Sequence, residues 1–122
     1  MPVTLQDVKE DSTYQVTGTF KDEADVALAA ATLTTVKMWL TDHKNVVINT
    51  RTAVDILNAG PGAVDSNGLL TLVLVPADNP IVGSDIIERH LLVIEWTWSA
   101  GNKKSHENIF LMVVNDGQVP TA

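Results

Sequence analysis

Short segments in which apolar and polar residues alternate run along the chain. Two of them, residues 13–20 and 34–41, place apolar side chains at every second position, the period of a strand with one buried face. The apolar positions are Tyr14, Val16 and Phe20 in the first segment and Val36, Met38 and Leu40 in the second. The pattern predicts a strand in each segment.

Three further strands are predicted in the second half, at residues 69–75, 86–98 and 105–115. Turn residues precede two of these strands: Ser66-Asn67-Gly68 lies before the first, and Gly101-Asn102 lies before the last. Residues 76–84, rich in Pro, Asp, Asn and Gly, form the predicted surface connection between the first two.

Other segments have weaker patterns. Asp42-His43-Lys44-Asn45 predicts a hairpin loop that returns through Val46-Val47-Ile48. Residues 51–57 fit a strand or a short helical turn, and residues 58–62 break that element. Residues 21–31 fit either a loop or one helical turn.

Six or seven strands with regularly spaced turns predict one all-β domain, an antiparallel β-sandwich of the immunoglobulin-like class. A small jelly roll or an OB-like barrel is the alternative. We expect the domain to cover residues 13–115, with an N-terminal arm over 1–12 and a C-terminal tail over 116–122.

A single parity along each strand should point between the sheets. The predicted core is Tyr14, Val16, Phe20, Val36, Met38, Leu40, Leu70, Leu72, Leu74, Leu92, Ile94, Trp96, Phe110, Met112 and Val114.

Three strands are apolar on both parities, although the outer face of an antiparallel sheet normally meets water. The outward set, given the core above, is Val73, Leu91, Val93, Ile109, Leu111 and Val113. Neighbouring strands would join these side chains into a patch that soluble monomers seldom expose. We predict that this set is a partner interface, used for a homo-oligomer or for docking on another protein. Alternatively, the N-terminal arm or residues 58–64 fold over the patch.

Composition excludes several classes of partner. The formal charge of −7 argues against nucleic acid, whose binding depends on clustered Lys and Arg. No segment reaches the roughly 18 apolar residues of a membrane-spanning helix, so no membrane partner is expected. Cysteine is absent, and the polar start of the chain does not resemble a secretory signal. We therefore expect synthesis in the cytoplasm without a signal peptide.

No catalytic or metal-binding motif stands out, and we predict neither an enzyme nor a cofactor. The histidines, His43, His90 and His106, are far apart and lack zinc-ligand spacing. The acidic run at Asp22, Glu23 and Asp25 lacks the calcium-loop pattern, which favours a solvated loop. Pairs among Glu88, Glu95 and Glu107 have spacings that many solvent-facing strands share, so acid–base chemistry is not expected. Nor do Ser84 and Ser99 occupy the strained turn of a hydrolase.

The tryptophans allow an aromatic platform for a sugar. We expect Trp96 to pack in the core, and leave core packing and exposure equally open for Trp39 and Trp98.

The order of several runs carries a family resemblance. The runs are Val16-Thr17-Gly18-Thr19-Phe20-Lys21-Asp22-Glu23, then Met38-Trp39-Leu40-Thr41-Asp42 with Asn45-Val46-Val47-Ile48-Asn49, then Ser66-Asn67-Gly68-Leu69, and finally Glu88-Arg89-His90-Leu91-Leu92-Val93-Ile94-Glu95. This order, across residues 13–115, resembles small phage-encoded immunoglobulin-like virion proteins. The resemblance implies a non-enzymatic component of a phage particle, on the capsid, at the neck or on the tail.

We therefore predict a virion structural protein, with capsid decoration or head association ahead of a neck, tail or baseplate position. Its expected partners are other virion proteins, including the major capsid protein, or further copies of itself. A carbohydrate-binding sandwich module, using Trp39 or Trp98, is the alternative.

Overall fold

The computed structural model describes residues 4–81 and 87–114, and this part of the chain contains eight strands and one short 3-10 turn. The strands are β1 (Thr4–Lys9), β2 (Tyr14–Thr19), β3 (Leu33–Thr41), β4 (Val54–Asp55), β5 (Gly62–Val64), β6 (Leu69–Leu74), β7 (Ile87–Trp98) and β8 (Lys103–Val114). The 3-10 turn is Pro76–Asp78. No helix among the described residues has the length and apolar character needed to cross a bilayer.

The strands form two sheets. One has five strands in the order β1-β8-β7-β3-β4, and the other has three in the order β2-β6-β5. Neighbouring strands are antiparallel except for β1 and β8, which run parallel. Both sheets contribute to one apolar core, so the prediction of an all-β, two-sheet domain is confirmed.

The predicted core parity is confirmed on β2, β3, β6 and β7. Val16, Val36, Leu72 and Ile94, among others, are buried between the sheets, and Tyr14 is partly buried. The prediction was wrong on β8, where alternate residues from Glu107 to Val113 point inward.

The register explains the error on β8. Directly opposed residues of an antiparallel pair point to the same side of the sheet. Leu92, which is buried, lies opposite Ile109, whereas Leu91 lies opposite Phe110. Phe110, Met112 and Val114 therefore face outward with Leu91. Because both parities of β8 are apolar, the pattern along that strand alone could not distinguish them.

Three local expectations also need correction. Residues 46–48 form only an isolated bridge between Thr41 and Val47, and the strand beside β3 is β4, within the ambiguous segment 51–57. The predicted N-terminal arm contains β1, which pairs with β8. Residues 62–64 form the unpredicted strand β5. Residue 115 and the predicted tail lie outside the described residues.

Candidate functional site

The outer face of the five-stranded sheet carries a continuous set of apolar side chains. Trp39 lies opposite Val93 and Leu91 opposite Phe110, so β3, β7 and β8 all contribute. Toward one end of the sheet, Ile87 lies opposite Val114. We call this set the outer apolar patch; it consists of Trp39, Ile87, Leu91, Val93, Phe110, Met112 and Val114.

Six members of the patch are half-buried, and the seventh, Ile87, is 50% exposed. The alternative, in which the N-terminal arm or residues 58–64 fold over the patch, does not hold for the described residues of either segment. Strand β1 extends the edge of the same sheet, and β5 belongs to the other sheet. Within the described part of the chain, the patch has no covering element.

Charged residues of both signs surround the patch. The strand positions that face outward on this sheet include four basic residues, Lys9, Lys37, Arg89 and Lys104, and three acidic ones, Asp7, Asp55 and Glu95. Four against three gives this face a formal charge of +1, in a chain whose formal charge is −7. The outer face is therefore not acidic, unlike the chain as a whole.

Two contacts show how these charges are arranged. Lys104 Nζ lies 3.8 Å from Glu95 Oε2 at the rim. The guanidinium of Arg89 lies over the Phe110 ring, 5.1 Å from its centroid, at a distance suited to a cation–π interaction. The patch thus combines an aromatic and an arginine side chain, both of which are common in protein interfaces.

The structure separates the six residues predicted as an interface into three groups. Leu91 and Val93 belong to the outer apolar patch. Val73 is 36% exposed but lies on β6, in the other sheet. The outward placement of Ile109, Leu111 and Val113 was wrong, because these side chains are 4%, 0% and 0% exposed and lie inside the sandwich. The reversed parity of β8 puts Phe110, Met112 and Val114 in their place.

A buried polar cluster lies at the end of the sandwich where β7 begins. His90 Nε2 lies within hydrogen-bond distance of Glu88 Oε1, at 2.6 Å, and both side chains are inaccessible. His43 Nδ1 lies 3.7 Å from the other oxygen of Glu88. Sequence spacing missed this cluster because it joins the β3 turn to β7 through tertiary contact.

Asp42 is buried in the same β3 turn. Burial alone would raise the pKa of Asp42, but the backbone N–H groups of Val46 and Lys44 donate to its carboxylate and bring the pKa below its ordinary value. The carboxylate of Asp42 therefore stabilises the turn by accepting hydrogen bonds from backbone N–H groups of the turn itself.

A buried ion pair lies at the same end. Arg51 donates from Nε and Nη2 to the two carboxylate oxygens of Asp78, at 2.8 and 3.1 Å. Asn49 and the Val75 backbone N–H also donate to this carboxylate. These bonds outweigh burial, which alone would raise the pKa of Asp78, and they lower it. Asp78 therefore ties the β3–β4 connection to the 3-10 turn, so residues 76–78, within the predicted surface connection, are anchored to the fold.

Of the three glutamates that were predicted to face solvent, only one does so. Glu95 faces outward, whereas Glu88 and Glu107 are buried, which corrects the expectation for both. Burial raises the pKa of the Glu107 carboxyl. The described residues hold no group of three or more His, Asp or Glu side chains arranged for a metal ion.

The remaining candidates have local roles. Asp22 accepts hydrogen bonds from the backbone of Ala24 and Val26, so the acidic run contains an ordinary Asx turn. Trp96 is in the core as predicted, and Trp98 is only 7% exposed. Trp39 lies in the outer apolar patch, and Ser84 lies outside the described residues.

Comparison with known proteins adds no relative. No family model, curated protein or solved structure matches the chain.

Proposed function

We propose that this protein is a non-enzymatic structural component of a phage particle, a capsid decoration or head-associated protein that assembles through the outer apolar patch. The observation that carries the proposal is the patch itself: seven neighbouring apolar residues on a sheet face without a covering element among the described residues. Soluble monomers rarely keep such a surface in water, and patches of this kind mark protein interaction sites.

The strand order supports an immunoglobulin-like assignment. In that fold, one sheet contains strands A, B, E and D, and the other contains C, F and G, with C′ added in the variable type. Here β2, β6 and β5 fit strands B, E and D, and β3, β7 and β8 fit the second set, with β4 as C′. The first strand, β1, departs from this arrangement, because it pairs with β8 in the second sheet. The chain differs in having no cysteine and in placing its core tryptophan, Trp96, on β7. This assignment agrees with the resemblance to phage immunoglobulin-like proteins.

The buried polar groups favour a structural role over catalysis. A general base must come within hydrogen-bond reach of its substrate. The side chains of His90 and Glu88 are 0% and 1% exposed, which leaves no room for a substrate beside them in this conformation. Asp78 is likewise enclosed and occupied by four donors. These groups hold the loops at one end of the sandwich.

The carbohydrate-binding alternative loses one of its two aromatic candidates. Trp98 is buried, and Trp39 lies opposite Val93 within the outer apolar patch. A broad apolar surface with charged residues around it suits a protein partner better than a polar sugar.

The test is association with particles. Particles from cells that encode this chain are sedimented through a density gradient, and each fraction is probed with an antibody against the protein. We expect the wild-type chain in the particle band, and Leu91→Glu to be lost from it, because a charge would be buried in the interface. Val73→Glu is the matched control, since Val73 is an outward strand residue of the other sheet.

A wild-type chain that stays at the top of the gradient would contradict the proposed function. Loss of Val73→Glu together with retention of Leu91→Glu would move the docking surface to the three-stranded sheet.

A further inference from the structure

We infer that the occupant of the outer apolar patch is a second copy of this chain, packed face to face across a two-fold axis. The inference rests on the proposed function in treating the patch as an assembly surface, and it names the partner. Size, charge and residue type on this face support it.

The face is large enough for a dimer. Strands in a sheet lie about 4.8 Å apart and rise about 3.3 Å per residue, so β1, β8, β7 and β3 present a face of roughly 20 by 30 Å. Its flat area is on the order of 600 Å² per copy, and side-chain relief increases the accessible area. Two copies would therefore bury more than about 1,000 Å² in total, the lower bound of a specific interface.

Charge restricts where two copies can approach each other. Each chain carries −7, so most pairs of surfaces would bring acidic groups together. The outer face avoids this repulsion, because it carries four basic and three acidic residues around its apolar centre. In an isologous contact the same patch serves both copies, so a patch with both signs can match its own copy. A strongly acidic foreign partner would instead favour a predominantly basic face.

The side chains in the patch are of interface types. Trp39, Arg89 and Phe110 belong to classes that are enriched in protein interfaces, and Trp and Arg are frequent hot spots. Arg89 already covers part of Phe110, so its guanidinium is held in place before a partner arrives. Leu91, directly opposite Phe110, is the natural residue to disrupt.

The oligomeric state of the purified protein tests the inference. Sedimentation equilibrium over a concentration series should give a species of twice the 13.2 kDa chain mass. Leu91→Glu should weaken dimerisation more than tenfold, whereas Val73→Glu should leave it unchanged. Raising the salt concentration should strengthen the wild-type dimer, because salt screens repulsion between two acidic chains. Circular dichroism checks that each variant is folded.

A second measurement does not depend on the stability of Leu91→Glu. The chain has no cysteine, so one spin label can be attached in an otherwise wild-type protein, through Thr97→Cys on the outer face or Thr71→Cys on the other sheet. Double electron–electron resonance should show a shorter label-to-label distance for Thr97→Cys than for Thr71→Cys.

A wild-type protein that is monomeric throughout the concentration series would overturn the inference, as would a dimer with the shorter distance between Thr71→Cys labels. A monomer that still enters the particle band would overturn the self-pairing while leaving the proposed function intact. A dimer that is absent from particles would contradict the proposed function while leaving the self-pairing intact.

Discussion

The rings of Phe20 and Trp96 meet between the two sheets, with centroids 5.0 Å apart and planes tilted by 48°. Phe20 follows β2 in the three-stranded side of the fold, and Trp96 lies on β7. Trp96 Nε1 also donates to the Lys21 carbonyl oxygen at 3.1 Å. This contact satisfies the polar atom of a buried indole and joins the two halves of the sandwich.

Truncating the core beside this contact should destabilise the domain strongly. Ile94 is buried on the same face of β7 as Trp96, so Ile94→Ala removes apolar contacts and leaves a cavity. We expect a loss of about 2–5 kcal/mol in the free energy of unfolding, measured by urea denaturation. Val73→Ala, on the outside of β6, should cost less than about 1 kcal/mol. Equal losses for the two variants would contradict the observed parity.

Removing the charge of Asp78 should be nearly as damaging as a core truncation. Asp78→Asn leaves the guanidinium of Arg51, which is largely buried, without its counter-charge. Breaking a buried pair in this way costs about 3–5 kcal/mol. Asp25→Asn is the control, because its exposed pair with Lys21, at 3.4 Å, should contribute less than about 1 kcal/mol. A neutral effect of Asp78→Asn in urea denaturation would show that the network is dispensable.

Acid should weaken the fold through Asp78 and Asp42. Both have a pKa below the ordinary value in the folded protein, so the folded state holds fewer protons than the unfolded state near that value. Their contribution is fully present above the unfolded pKa of about 3.9 and is lost as pH falls through the folded pKa. Unfolding free energies measured from pH 7 downward should fall steeply in this window. Asp78→Asn should flatten the fall, and an unchanged slope would contradict the assignment.

Glu107 should have the opposite effect. Burial raises the pKa of its carboxyl, so the folded state holds this proton to a higher pH than the unfolded state. Its contribution is greatest below the unfolded pKa of about 4.3 and declines as pH rises through the raised folded pKa. Glu107→Gln removes this titration and should raise the melting temperature at pH 7, with no gain below about pH 4. A lower melting temperature at pH 7 would show that the ionised carboxylate makes a favourable contact.

Alanine substitutions at two glycines should distinguish the cost of backbone strain from the cost of a steric clash. Gly68 and Gly101 have similar positive φ values of 81° and 84°. A Cβ on Gly68 would lie 2.4 Å from the Leu28 carbonyl oxygen, whereas one on Gly101 would meet nothing within 4 Å. Gly101→Ala should therefore cost about 1–2 kcal/mol from the left-handed backbone alone. Gly68→Ala should cost about 1–3 kcal/mol more, because backbone atoms must move. Similar melting temperatures for the two variants would exclude the steric effect.

The pattern along the chain determined the strands and turns wherever burial was one-sided. Val16, Val36 and Met38 alternate with polar neighbours, and this alternation sufficed to assign both the strand and its buried face. The turn at Ser66-Asn67-Gly68 was also readable, since Gly68 has the positive φ that the turn requires. The apolar excess also predicted an apolar outer face, on which Leu91 and Val93 lie.

Tertiary structure decided what local pattern left ambiguous. The face of β8 that points inward depends on its register with β7, because Phe110 and Leu111 are equally apolar and only their partners, Leu91 and His90, differ. The short strands β4 and β5 exist through pairing with longer neighbours, so their own residues carry little signal. His43, Glu88 and His90 became a cluster only when the β3 turn met β7. Local sequence sets the periodicity of each strand, whereas register and distant contacts, which depend on the whole fold, set which face is buried and which groups meet.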